Sequence, residues 1–218
     1  MVHLLKDHHF QVNPKRIRRL FGLMGYHAIY ARRNLSKLGL AHYIKPYLLR
    51  GMKITRPNQV WCTDITYIPM RRGFLYLTAV MDVYSRKVLA WGISNTLEAA
   101  WCLKVVEDAI DRYGPPEIIN SDQGSQYTSF AWGNFMENQG IKISMDGKGR
   151  STDNAWIERF WRTIEKDHLY LNPAETGTEL YQQVEYFVNY YNNRHHQGIK
   201  DKPNNLYTSN SLPLNKAS

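Results

Sequence analysis

Three carboxylates in this 218-residue chain stand where an acid needs a reason. Asp64 lies in the middle of VWCTDITYI, residues 60–68, among strand-forming residue types where aspartate is disfavoured. An acidic side chain there needs a charge partner or a metal. Asp122 opens DQGSQYTS directly after the apolar run around Ile118 and Ile119, which puts it at a strand's C-terminal end. Glu158 belongs to MDGKGRSTDNAWIERFW, residues 145–161, a loop feeding a helix. The spacing of Ile157, Trp161 and Ile164 gives that helix a buried stripe, with Glu158 expected half-covered at its edge. Carboxylate oxygens with no cationic relay beside them select Mg²⁺ or Mn²⁺ over zinc. Two such ions about 3.5–4 Å apart can activate the attacking oxygen and stabilise the leaving oxygen of an in-line displacement.

Other polar residues cluster around these three. Gln123 and Gly124 follow Asp122 directly; the glycine permits close backbone approach and the amide can contact DNA. Lys148 and Arg150 add two positive charges to the loop before Glu158, next to Gly147 and Gly149. Asp153 and Asn154 read as cap and loop residues, and Asp146 as solvent-facing. Asp82 reads as pairing with Arg86, with metal contact the lesser alternative. Arg194, His195 and His196 follow the last long helix and suit either DNA contact or structure.

The elements that must position these groups form a mixed pattern. Strands are expected at 60–69, 74–83 and 87–93, joined by short turns into an antiparallel meander. A helix starts at Asn95 or Thr96, with the stripe Ala99, Leu103, Val106, Ile110 and Tyr113, and Gly114-Pro115-Pro116 ends it. A strand at 117–121 follows, then a helix capped by Thr128 or Ser129 that turns Phe130, Phe135 and Met136 inward. A fifth strand at 141–145 precedes the Glu158 helix. Thr176 to Glu179 forms a capping box for a last helix that turns Leu180, Val184, Phe187 and Tyr191 inward. The expected fold is α/β: a mixed five-stranded sheet with helices on its faces, a ribonuclease H-like arrangement preceded by a basic helical arm.

Charge marks out that arm. Residues 1–56 hold twelve Lys or Arg against the single acid Asp7, while the remainder is slightly acidic, within a total of +9. The asymmetry points to a polyanion. Asn13-Pro14 starts a helix with Ile17, Leu20, Phe21 and Met24 on one side; Lys15, Arg18 and Arg19 stand on the other with Arg16 nearby, suited to phosphate contact or groove insertion. Residues 1–25 are thus a partial DNA-binding segment, 26–56 a basic linker with four tyrosines, 57–203 the core with its C-terminal helix, and 204–218 a frayed polar tail. No run of 18 apolar residues indicates a transmembrane helix, and no secretory signal is evident. Cys62 and Cys102 are expected to be reduced core residues of a cytoplasmic protein.

The ordered Asp64, Asp122 and Glu158, with 35 residues between the last two, resemble the DDE transposases and retroviral-type integrases. WCTDITYIPMRRGFLYL, DVYSRKVLAW, SNTLEA, SDQGSQYTS and ISMDGKGRSTDN with ERFWR resemble the catalytic, OrfB-type protein of IS3-type insertion sequences, from about Val12 to about Pro203. The resemblance implies a bacterial transposase that nicks element ends and joins the 3′-OH to another strand, with Asp64 bridging two Mg²⁺ or Mn²⁺ ions and Asp122 and Glu158 each holding one. It implies double-stranded DNA as partner, a homo-oligomer on DNA at the nucleoid, and a companion upstream-frame protein or fusion. Residues 13–25 match the second half of that family's helix-turn-helix-like module. One departure matters. The family's DNA-contacting Lys, seven residues after the catalytic Glu, is here Glu165, followed by Lys166. Seven residues return to within about 20° of the same helix face, so Glu165 is expected beside the DNA groove, repelling a phosphate. A catalytically weakened remnant that only binds DNA is the alternative, and a general ribonuclease H-like nuclease a third reading.

Overall fold

The computed structural model describes residues 5, 9–25, 44–147 and 154–210. The chain divides into two compact units, Met1–Leu38 and Gly39–Ser218. In the first, α1 (Pro14–Leu23) starts where expected: the Asn13 side chain caps it by accepting from the Lys15 N–H at 2.8 Å, and proline occupies the first turn. Lys15, Arg16, Arg18 and Arg19 are all exposed on it.

The second unit carries β1 (Val60–Pro69), β2 (Phe74–Asp82), β3 (Val88–Ser94), α2 (Ala99–Tyr113), β4 (Ile118–Ser121), α3 (Phe130–Asn138), β5 (Lys142–Met145), α4 (Ala155–Ile164), a π-helical turn at Glu165–Leu169, α5 (Gly177–Asn193) and α6 (Pro203–Asn210). The sheet order is β3-β2-β1-β4-β5; β1, β2 and β3 pair antiparallel, while β4 and β5 run parallel to β1. The strands' two-residue period feeds two cores. Val60 and Cys62 pack with α4 and α5 on one face, and Trp61, Val80 and Ile119 pack with α2 and α3 on the other. Both cysteines are buried and free.

Several expected details differ. Α2 begins at Ala99, because the Thr96 N–H donates to Ser94 Oγ and holds those residues in a bend. Its buried face is Cys102, Val105, Val106 and Ala109, one step round from the expected stripe, and Gly114 at φ 75° ends it. Ser129 caps α3, but Phe130 is 69% exposed and Trp132 takes the interior position with Met136. Part of the basic linker packs on the core: Leu49 is buried in the α4–α5 core and the Leu48 N–H donates to Ser144 Oγ. The expected polar tail contains α6, where Tyr207 is buried and its hydroxyl donates to Asn58 Oδ1 at 2.8 Å. Asn192 clamps α5 to the sheet edge, accepting from the Val88 N–H and donating to the Val88 carbonyl.

Candidate functional site

Asp64 continues the Val60–Cys62 face of β1, toward α4. There the Trp161 indole N–H donates to its Oδ2 at 2.9 Å. Burial pushes the Asp64 carboxyl up to about 6; bonds from the Ile65 backbone and Trp161 oppose the rise, and the charges of Asp122 and Glu158 add to it. The fold therefore brings three carboxylates from β1, the end of β4 and α4 within electrostatic reach. The first two are level because β1 and β4 are parallel neighbours, with Cys62 opposite Asn120. Asp64 is part-buried and Asp122 exposed. Glu158 is exposed rather than half-covered: the buried stripe of α4 is Ile157, Phe160, Trp161 and Ile164, and Glu158 turns out of it. It occupies the helix's first turn, where the positive end of the dipole favours a carboxylate.

Among the described residues, no three His, Cys, Asp or Glu side chains are gathered closely enough to hold a metal ion. Mutual repulsion of uncompensated carboxylates works against such a gathering. The donor set itself fits a hard divalent cation: all oxygen, one group held by the fold and two open to solvent.

Hydrogen bonds brace the loop after β4. The Gly124 N–H donates to Asp122 Oδ1 at 2.9 Å, and a Cβ at position 124 would stand 2.9 Å from both that oxygen and Gln126 Oε1. Gln123, expected at DNA, spends an amide N–H on the Asp146 carbonyl at 2.7 Å. Asp146, expected to face solvent, is part-buried and accepts from Asn120 Nδ2 at 2.8 Å. Lys148, Arg150 and Asp153 lie outside the described residues; Asn154 stands at the α4 N-cap without a side-chain capping bond.

Asp82, Arg194 and His196 make contacts within the fold. Asp82 is buried and accepts from the Asn58 N–H, the Ser85 N–H and the Ser85 hydroxyl, closing the β2–β3 turn; Arg86 attracts it through the field. Burial pushes its carboxyl above the usual range, and the Ser85 bonds oppose this. His196 bonds the Tyr191 carbonyl at 2.8 Å, and Arg194 lies over the Tyr190 and Tyr191 rings. Glu165 is bonded within the fold. It begins the π-helical turn, accepts from the Thr66 hydroxyl at 2.7 Å and faces the Tyr170 hydroxyl at 3.4 Å. The carboxylate ties the end of α4 to β1.

Sequence reasoning missed Trp161 as Asp64's partner. The signal was present: a buried indole N–H seeks an acceptor, and a mid-strand aspartate seeks a donor. Which two meet depends on how α4 lies on the sheet.

An Integrase core domain family model matches residues 54–151, and a second model of that description matches 139–203. The chain is 35% identical over 202 residues to the transposase for insertion sequence element IS904 of Lactococcus lactis, covering 87% of this chain and 78% of that one. It is 33% identical over 188 residues to the putative transposase InsK for IS150 of Escherichia coli, covering 84% and 66%. Among solved structures, the HTLV-2 integrase catalytic core domain in complex with magnesium superposes at a TM-score of 0.59 and 18% identity, covering 71% of this chain and 99% of that one. A chain of a simian T-cell lymphotropic virus intasome gives 0.63 at 20% identity, covering 74% and 59%. These likenesses show the ribonuclease H-like fold.

Proposed function

The chain belongs to the IS3-type insertion-sequence transposases that carry an integrase core domain, and on that premise we propose that Asp64, Asp122 and Glu158 are its catalytic carboxylates. The protein is a DNA transposase: it nicks strands at element ends and joins the resulting 3′-OH to a phosphate of another strand, whose own 3′-oxygen leaves. The observation that carries the residue assignment is the mid-strand Asp64, level with Asp122 at the end of the parallel β4 and bonded by Trp161 of the helix that carries Glu158.

The enzyme uses divalent metal, and Asp64, Asp122 and Glu158 would hold two ions. When bound, Mg²⁺ or Mn²⁺ supplies charge stabilisation at the attacking and leaving oxygens of an in-line displacement. The chain's own residues prepare the site. Trp161 and the Ile65 backbone bond Asp64, the Gly124 N–H steadies Asp122, and Gln123 ties that loop to Asp146. One arrangement serves both nicking and joining, since only the attacking oxygen changes from water to 3′-OH.

DNA contacts are proposed for Lys15, Arg16, Arg18 and Arg19 on α1, for Gln123 and Gly124 after Asp122, and for Lys148 and Arg150. Element ends and target are double-stranded DNA, bound by a homo-oligomer at the nucleoid in the cytoplasm, with a companion upstream-frame protein or fusion. The catalytically silent reading is not favoured by the Integrase core domain matches, which span Asp64, Asp122 and Glu158. Incubation with labelled element-end DNA and Mn²⁺ tests the assignment. Wild type should give nicked and joined products, and Asp64→Asn, Asp122→Asn and Glu158→Gln should each abolish both while retaining DNA binding. A variant with wild-type joining removes its residue from the set.

A further inference from the structure

We propose that Trp161 is a positioning residue for both strand reactions: its indole N–H sets the Asp64 carboxylate in the orientation that receives a cation. The inference rests on the assignment of Asp64 above. The bond joins residues 97 apart in sequence, from α4 to β1, at 2.9 Å. Trp161 is 5% exposed, sits in the core beneath α4 and packs on the Phe160 ring at 5.1 Å between centroids. Its donor is thus fixed by close packing.

Packing alone does not demand this bond. The indole nitrogens of Trp101 and Trp132 are buried with no hydrogen-bond partner, so the fold tolerates unbonded indoles. Trp61 finds a neutral amide, Asn58 Oδ1. Trp161 alone among these is matched to an acid at the site.

The chemistry suits a positioning role. Indole is a donor only, so it steers a carboxylate without competing for a cation. A carboxylate oxygen has two acceptor sites, and Oδ2 keeps one after the indole bond. Trp161 also stands three residues after Glu158, within one turn of the same ten-residue helix. The helix that presents Glu158 therefore also sets Asp64 on the neighbouring strand, and any displacement of α4 moves both carboxylates together. Partners that orient metal-binding groups in this way change affinity about ten- to hundredfold when removed.

The test replaces Trp161 with benzothienylalanine, an isostere in which sulfur takes the place of the N–H and the volume is kept. Mn²⁺ affinity is measured by electron paramagnetic resonance of free Mn²⁺, alongside melting in chelator and nicking rates across Mn²⁺ concentrations. The expected result is an affinity about tenfold weaker, a nicking rate restored by excess Mn²⁺, an unchanged KM for DNA and near-unchanged melting. Wild-type Mn²⁺ affinity and rates at every Mn²⁺ concentration would overturn the proposal. Trp161→Phe is the companion: a purely structural tryptophan predicts lower melting with unmoved Mn²⁺ affinity, which would also overturn it. Asp64→Asn separates the two readings. If it keeps Mn²⁺ binding and joining, the site assignment fails; if it loses both while the isostere is silent, only the role of Trp161 fails.

Discussion

Asp64→Asn should stabilise the metal-free protein, and by an amount that depends on pH. The Asp64 carboxyl rises from its ordinary 3.8 to about 6, first by burial and further by the charges of Asp122 and Glu158. The folded state therefore holds its proton more tightly than the unfolded chain does. Unfolding releases that proton between about pH 4 and 6, so stability falls as pH rises through this window and the whole penalty is present above it. At 1.36 kcal/mol per tenfold, the rise corresponds to about 3 kcal/mol at pH 7.5. Asparagine carries no charge at any of these pH values and keeps an oxygen for the Trp161 N–H. For a chain of this length, about 3 kcal/mol is a melting shift of roughly 6–12 °C, an upper figure because the new amide N–H groups also need partners. The assay is thermal melting of wild type and variant in chelator at pH 4 and pH 7.5. The variant should melt higher at pH 7.5 and nearly equally at pH 4, and added Mn²⁺ should raise wild type alone. A variant that melts at or below wild type at pH 7.5, or a gap equal at both pH values, refutes the argument that Asp64 is an electrostatic liability without metal.

Further outcomes follow from the same contacts. Glu165→Gln keeps an acceptor for Thr66 and should leave melting and low-salt DNA affinity unchanged, whereas Glu165→Lys should lose the bond at about 1 kcal/mol and melt about 2–4 °C lower; tighter low-salt DNA binding by the Gln variant would return Glu165 to the groove. A 39–218 fragment should fold but lose most of its DNA affinity and salt dependence, since residues 1–38 carry eight of the twelve basic residues of the arm. A 57–218 fragment should melt lower still, because burial of Leu49 alone contributes about 2 kcal/mol; equal melting of the two fragments would contradict the packing of residues 44–56. Gly124→Ala places a Cβ 2.9 Å from Asp122 Oδ1 and should slow joining about ten- to hundredfold with little change in melting, as read by strand-transfer kinetics beside a melting curve.

Sequence by itself determined whatever neighbours along the chain decide. The extent of β1, the Asn13, Ser129 and Thr176 caps and the Gly114 stop all depend on residues within a turn or two. So does the Glu158 helix, whose stripe of Ile157, Trp161 and Ile164 is buried as its spacing implies. Asp64 was legible because a charge amid strand formers contradicts its surroundings. Tertiary structure decided the partners. Glu165 turns to Thr66 across 99 residues, Trp161 to Asp64 across 97 and Asn192 to Val88 across 104. Helical periodicity placed Glu165 on the right helix but could not say that a π-helical turn begins there or that a β1 hydroxyl lies within reach. Periodicity ranks the faces of an element; the order of the strands and the seating of each helix on them choose which face meets which side chain.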